Sequence, residues 1–486
     1  MRSNKPPPRP SSRCDRTTNR NHSPAGGKPS SGYAGKRLEK RHGGDVERPS
    51  GLEARQAAVE TLWMVMQRGR FLEEALTEAF SSPQRMGVHA RDRAFVRLVV
   101  TTVLRRHGEL GALIQAHLEK PLPENRGRLW QILLSAAAQL LFLETPPHAA
   151  IGLAVEQCKA DSHARRFDRL ANAVLRRVAE AGKAPLAALD GVSLNVPDWL
   201  LKGWQQSFGP ELAHRIAAAS LQEPSLDLSV KADALTWAEK LGGHLLPTGT
   251  VRVMHAGRVT ELPGFDEGAW WVQDAAAALP AKVLRPESGM RVGDLCAAPG
   301  GKTAELVAAG ADVTAVDISS ARLRRVRENL DRLKMDATLV TADATTWQPD
   351  VPFDAILLDA PCSATGTIRR HPDILHVRQQ RGLEKLIDLQ ARLLANAATL
   401  VKPRGIVVYS TCSLEPEEGE AQIRRFLSTH PGFSRVPITG GEIGGLNEAI
   451  TPEGDLRTLP CHVFPGDPSG AGIDGFFVAR LCRGAD

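Results

Sequence analysis

The chain has 486 residues, a formal charge of +6 and no apolar run near the roughly 20 residues a membrane span needs, so a soluble, cytoplasmic protein of two or three domains is expected. Its seven cysteines (14, 158, 296, 362, 412, 461 and 482) are odd in number and scattered, which argues against a disulfide framework. Cys461-His462 has no second pair at ligand spacing, so no metal is expected either.

Residues 1–42 hold eleven Lys/Arg against two acids, leaving 50 basic and 53 acidic residues in the rest of the chain. The high isoelectric point therefore belongs to a basic, Pro/Ser/Gly-rich stretch. Residues 1–50 read as a disordered tail, either attracted to nucleic-acid phosphates or simply solvated.

From 51 to 185 the pattern is helical. Ala54–Met66, Arg91–Arg106, Leu110–Leu118, Arg128–Leu143, His148–Ala160 and Phe167–Glu180 repeat apolar residues at three- and four-residue intervals, with Gly or Pro between them. This predicts an all-α bundle. In Phe167–Arg177 the apolar residues share one face and Arg169, Arg176 and Arg177 lie largely on another, open to RNA or to solvent. Asn172-Ala-Val-Leu-Arg176 is the most specific part of a resemblance to the NusB-type bundle, which implies RNA contact.

Residues 186–270 read as a connector. Pro197–Phe208 and Glu211–Ser220 predict helices, and Pro224–Val230, Leu235–Leu241 and Val251–Met254 predict a small α/β subdomain. Trp270-Trp271 is either a packing pair or a stacking platform for bases.

From 271 to 486 strand and helix alternate, which predicts a doubly wound, Rossmann-like α/β domain. Strand candidates are Arg291–Leu295, Val313–Asp317, Ala337–Thr341, Asp354–Asp359 and Gly405–Ser410. Such sheets bind ligands outside the carboxyl ends of their strands. Here those ends deliver the Cys296 loop, Asp317, Asp343, Asp359 and Cys412 to one rim.

Asp294-Leu-Cys-Ala-Ala-Pro-Gly-Gly-Lys-Thr303 reads as strand, tight loop and helix start, with Gly300 and Gly301 free to take positive φ. A phosphate-cradling P-loop would need glycine where Cys296 stands. A nucleoside crevice instead needs an acid about 20 residues on for the ribose hydroxyls, and Asp317 fits. Two cysteines at the same rim, Cys362 in Asp359-Ala-Pro-Cys362 and Cys412 in Thr411-Cys-Ser413, suggest covalent catalysis beside a nucleoside cofactor. From the residues alone, either thiol could be the nucleophile.

Together with Ile368-Arg-Arg-His-Pro-Asp373 and Gly472-Ile-Asp-Gly-Phe-Phe477, these motifs resemble the Sun/RsmB branch of the RNA cytosine-5 methyltransferases, from about residue 51 to the end. The resemblance implies S-adenosylmethionine as cofactor and small-subunit rRNA as substrate. It places Cys296, Ala297, Ala298, Pro299, Gly300, Gly301 and Lys302 at the cofactor, with Asp317 at the ribose, Asp343 at the adenine amino group, and Asp359 at the methionine end or the target base. It makes Cys412 the nucleophile and Cys362 the group that assists product release. Arg369, Arg370 and His371 are expected either at RNA or in internal salt bridges. The chain is expected to act as a monomer. Two other functions compete: a non-enzymatic RNA-binding assembly factor, and a P-loop ATPase.

Overall fold

A computed structural model describes residues 51–81, 89–254 and 257–485. The predicted basic tail lies outside them.

Seven helices come first: α1 (Leu52–Arg68), α2 (Leu72–Phe80), α3 (Ala90–Arg105), α4 (His107–Ala116), α5 (Leu129–Leu141), α6 (Pro147–Ala160) and α7 (Asp168–Ala181). The α5 sequence Leu-Trp-Gln-Ile-Leu-Leu-Ser-Ala-Ala-Ala-Gln-Leu-Leu is apolar nearly all round because the helix is buried nearly all round. By contrast α7 is striped. Ala171, Val174, Leu175 and Val178 face the core, while Arg169, Arg176 and Arg177 are exposed. Helix α2, nine residues long, lies inside the stretch read as helical but is not among the periodic segments named there.

The connector begins with α8 (Gly191–Asn195), α9 (Asp198–Phe208) and α10 (Pro210–Ser220). A small antiparallel sheet follows, β1 (Leu226–Val230), α11 (Ala234–Lys240), β2 (His244–Leu245), β3 (Val251–Val253) and β4 (Trp270–Val272), in the order β2-β3-β1-β4. Both indoles of the Trp pair are buried. Trp270 Nε1 donates to the Pro263 carbonyl and Trp271 Nε1 to Gln273 Oε1. They pack; they offer no platform for a base.

The large domain runs α12 (Ala275–Leu284), β5 (Arg291–Leu295), α13 (Gly301–Ala308), β6 (Asp312–Asp317), α14 (Ser320–Leu333), β7 (Thr338–Thr341) and β8 (Phe353–Asp359). It continues with α15 (Ile374–Val377), α16 (Leu383–Leu400), β9 (Val401–Thr411), α17 (Glu420–Thr429), β10 (Phe433–Arg435), β11 (Leu456–Thr458) and β12 (Phe476–Arg483). The sheet order is β10-β12-β9-β8-β5-β6-β7, with β11 on β12. Its core, β9-β8-β5-β6-β7, is parallel as predicted, while β10, β11 and β12 add an antiparallel edge that the sequence pattern did not give.

Helix α14 shows how such a layer forms. Ser319 caps its start by accepting from the Arg322 amide, and Leu323, Val326, Leu330 and Leu333 recur on the buried face. Each fully buried Leu or Val of such a stripe contributes about 1.5–3 kcal/mol.

The bundle docks on the segment between β8 and α16. The Leu72 amide donates to Asp373 Oδ2 (2.9 Å), Arg105 donates to the Arg369 carbonyl (2.9 Å), and His376 Nε2 bonds the Leu104 carbonyl (2.8 Å). The same segment settles two of the expected RNA contacts. Arg370 is held by Asp274 (2.5 Å) and Asp474 (3.0 Å), and Arg369 is buried, so both belong to the interior; His371 is exposed.

Candidate active site

Parallel register sets the rim. Leu295 pairs with Val316 and Leu358, Asp317 with Thr341, and Asp359 with Ser410, so the loops after β5, β6, β7, β8 and β9 leave the sheet side by side. The structure thus brings together the residues that the motifs had scattered over more than a hundred positions.

The loop after β5 turns back sharply. Cys296 adopts φ 63° and Gly300 φ 100°, and the Gly300 amide closes the turn on the Ala297 carbonyl (2.8 Å). Gly300 is required twice over: the left-handed backbone suits it, and a Cβ there would meet Val326 of α14 at 3.0 Å. The Ala297 amide donates to the Val316 carbonyl (3.1 Å) and the Ala298 amide to Asp317 Oδ2 (3.4 Å), pinning the loop to β6. Loss of solvent pushes the Cys296 thiol up to about 12, with Asp317 and Asp359 adding to the effect, so Cys296 is no nucleophile.

The fit to a nucleoside can be read from β6 outward. Asp317 uses Oδ1 for the Ser319 amide (2.9 Å) and Arg322 (2.8 Å), and Oδ2 makes only the long contact to Ala298. That leaves Oδ2 the less engaged oxygen of a buried carboxylate. The next residue, Ile318, is 64% exposed, an apolar surface beside the carboxylate that a purine face could cover. Asp343 is exposed, and the Thr345 amide and hydroxyl hold its carboxyl below the usual range. The hydroxyls, amino group and purine face of an adenosine moiety suit these acceptors and this apolar surface.

Lys302 points away from that end. Its Nζ pairs with Asp359 Oδ2 at 2.7 Å, and the Ser410 hydroxyl donates to Asp359 Oδ1 (3.0 Å). Burial opposes the charge on Lys302, but Asp359 overcomes it, with Cys412 and Asp294 adding, so the ammonium is held above its ordinary range.

Cys412 follows β9 directly and is partly exposed. Cys362, on the loop after β8, is buried, and the two sulfurs lie 3.4 Å apart. The bond to Cys412, burial and the charge of Cys412 raise Cys362 well above an ordinary thiol.

Three groups around the thiols went unnoticed in the sequence. Arg378 donates to the Ser363 (3.0 Å) and Cys362 (3.1 Å) carbonyls and lies over the Phe71 ring of the bundle. Arg457, on β11, donates to the Ser413 carbonyl and pairs with Glu420 (2.7 Å). The fully buried Glu418 accepts from the Ser363 amide (2.9 Å) and hydroxyl (2.5 Å), the Ser413 hydroxyl (2.5 Å) and Gln390 (2.8 Å). The closing motif packs beneath: the Gly475 amide donates to the Gly366 carbonyl (2.8 Å), and any Cβ on Gly366 would strike Gly475. Among the described residues no group of three or more His, Cys, Asp or Glu could hold a metal, and no helix is long and apolar enough to cross a membrane.

Comparison with known proteins follows the same division. Residues 281–482 match the family described as 16S rRNA methyltransferase RsmB/F, and residues 52–180 match the NusB family. The chain is 34% identical over 449 residues to ribosomal RNA small subunit methyltransferase B of Cronobacter sakazakii, covering 89% of this chain and 99% of that one. It is 37% identical over 451 residues to the protein of the same name from Vibrio cholerae, covering 89% and 98%. A solved structure described as PH0851 shares the fold, with a TM-score of 0.67 at 23% identity over 88% of this chain and 98% of that one. With a NusB-family bundle ahead of its α/β domain, the chain belongs to the 16S rRNA methyltransferase RsmB/F family.

Proposed function

We propose that this protein transfers a methyl group from S-adenosylmethionine to carbon 5 of a cytidine in small-subunit rRNA, through a covalent bond between Cys412 and carbon 6 of the base. The observation that carries the reading is the pair of sulfurs 3.4 Å apart at the rim, one partly exposed and one buried.

The chemistry follows from the base. Carbon 5 of an aromatic cytosine is a poor nucleophile. Addition of the Cys412 thiolate to carbon 6, with a proton supplied toward N3, leaves carbon 5 enamine-like. We assign that end of the base to the Asp359 carboxyl, which Lys302 and Ser410 hold. S-adenosylmethionine, when bound along Cys296–Lys302, Asp317 and Asp343, supplies an electrophilic methyl group on sulfonium sulfur. Loss of the carbon 5 proton to a base and elimination of Cys412 then restore the ring, and Cys362 is within reach to assist that departure. A stacked cytidine has to be turned out of its helix first, because carbon 6 is attacked from its face.

Tritium release from carbon 5 of labelled cytosine in small-subunit rRNA tests the reaction. Cys412→Ala abolishes release, whereas Cys362→Ala accumulates a covalent RNA–protein adduct. An adduct that forms only with Cys412→Ala would reverse the two roles, and no release from wild type would end the reading.

A further inference from the structure

Glu418 is buried and has no part in the chemistry above, yet it touches the residue that follows each cysteine. Ser363 comes directly after Cys362 and Ser413 directly after Cys412, and both hydroxyls donate to the same oxygen, Oε2, at 2.5 Å. The Ser363 amide and Gln390 of α16 donate to Oε1 (2.9 and 2.8 Å). Every one of these four contacts is a donor aimed at the carboxylate. Two loops from different strands, 50 residues apart in sequence, are thereby tied at one point, beside the place where their sulfurs meet at 3.4 Å. A carboxylate out of water with four donors is a strong, directional tie.

The tie also carries a charge. Negative charge at Glu418 disfavours a thiolate on Cys362. Lys302, by contrast, is held by its pair with Asp359 (2.7 Å). Tyr409 behind the pair is pushed well above its ordinary range, first by burial and then by Cys362 and Glu418, so it stays neutral. The Glu418 carboxylate therefore sits directly behind Cys362, bonded to the Ser363 amide that follows it.

We propose that Glu418 is a positioning residue that ties the two cysteine loops together, fixes the two sulfurs against each other and sets a negative charge behind Cys362, leaving Cys412 as the nucleophile. The proposal deepens the covalent reading above and rests on its assignment of the two thiols.

The test reads the thiols directly, on the full chain, without RNA or cofactor. Protein is treated with limiting iodoacetamide, and labelling at Cys362 and Cys412 is quantified by peptide mass spectrometry. Glu418→Gln keeps the shape of the tie: its carbonyl can take the Ser363 amide and Gln390, and its amide can donate to the two hydroxyls, but the charge is gone. The Cys412-to-Cys362 labelling ratio falls about tenfold, the order expected for losing one nearby like charge. An unchanged ratio in a folded Glu418→Gln protein overturns the proposal.

Should that variant not fold, Ser363→Ala and Ser413→Ala each delete one hydroxyl from the tie. Diamide then measures how well the sulfurs are held: two thiols give up their hydrogens to the azo bond and form the Cys362–Cys412 disulfide. Both variants slow that reaction several-fold, and unchanged rates in both overturn the proposal. Neither assay needs methyl transfer. A protein that passes them yet fails to methylate rRNA keeps this inference and loses the proposed activity; one that methylates carbon 5 with an unchanged ratio does the reverse.

Discussion

Lys302 illustrates how a single side chain can serve two ends of a site. Its motif suggests the cofactor, and its Nζ also lies 2.7 Å from Asp359, with Asp359, Cys412 and Asp294 together stabilising the ammonium. A buried cation beside an attacking sulfur favours the thiolate and orients the neighbouring acid. Lys302→Met is therefore expected to lower kcat about 100-fold, the order seen when one preorganised electrostatic partner is removed. Affinity for S-adenosylhomocysteine, measured by calorimetry, should change little. A variant with normal single-turnover rates and lost affinity would return Lys302 to the cofactor. Glu415 lies in the same loop system and receives the Trp204 indole N–H at 3.2 Å; burial raises its carboxyl to about 7, which marks it as a neutral, structural acid at moderate pH.

At the level of elements, what could be read from sequence was whatever local pattern dictates. Strand ends, the Cys296–Lys302 loop and the two cysteine motifs announce themselves through apolar runs that stop at a Gly, Pro or Asp. Glu418, Arg378 and Arg457 do not, because their partners are Ser363 and Ser413, the Cys362 loop, and Glu420, and these meet only once distant strands have paired. The three-residue strands β10 and β11 were invisible for the same reason: each exists only by pairing with β12. The segment 437–459 is held by tertiary contact as well. Its turn at Gly440–Ile443 is closed by a capping box between Thr439 and Glu442, and Glu442 also accepts from Arg285 (2.8 Å) and from Arg480 of β12 (2.6 Å). Burial would raise the Glu442 carboxyl, but Arg480, Arg285 and Thr439 hold it down at about 2 against an ordinary 4.5. A depressed carboxyl stabilises the fold fully above its unfolded value and loses that contribution as pH falls from about 4.5 toward 2. Glu442→Gln should accordingly cost about 1–2 kcal/mol at pH 7 after allowing for solvent screening. Thermal unfolding should show the gap between wild type and variant closing below pH 4.5; a gap independent of pH would refute the ionic account.

Across the described residues, the bundle grips the segment that carries Arg378, and Arg378 in turn holds the carbonyls of Cys362 and Ser363 with Phe71 of the bundle beneath it. The NusB-family bundle is thus built into the active site from behind, while its exposed arginines on α7 face solvent. This separates two contributions that an RNA enzyme usually confounds. Phosphate contacts set affinity and its dependence on salt, whereas the geometry of the reacting thiols sets turnover. Replacing Arg169 and Arg176 by Gln should weaken rRNA binding and flatten the plot of log affinity against log salt by about 0.7 for each lost phosphate contact in a single strand, with kcat at saturating RNA unchanged. Arg378→Gln should act the other way: its loop loses two carbonyl partners, so kcat falls while rRNA affinity and its salt dependence stay as they were. Filter binding across a salt series, paired with methyl transfer at saturating RNA, resolves the two. If Arg378→Gln instead weakens binding and leaves kcat alone, then Arg378 belongs to the RNA surface and the bundle has no mechanical hold on the Cys362 loop.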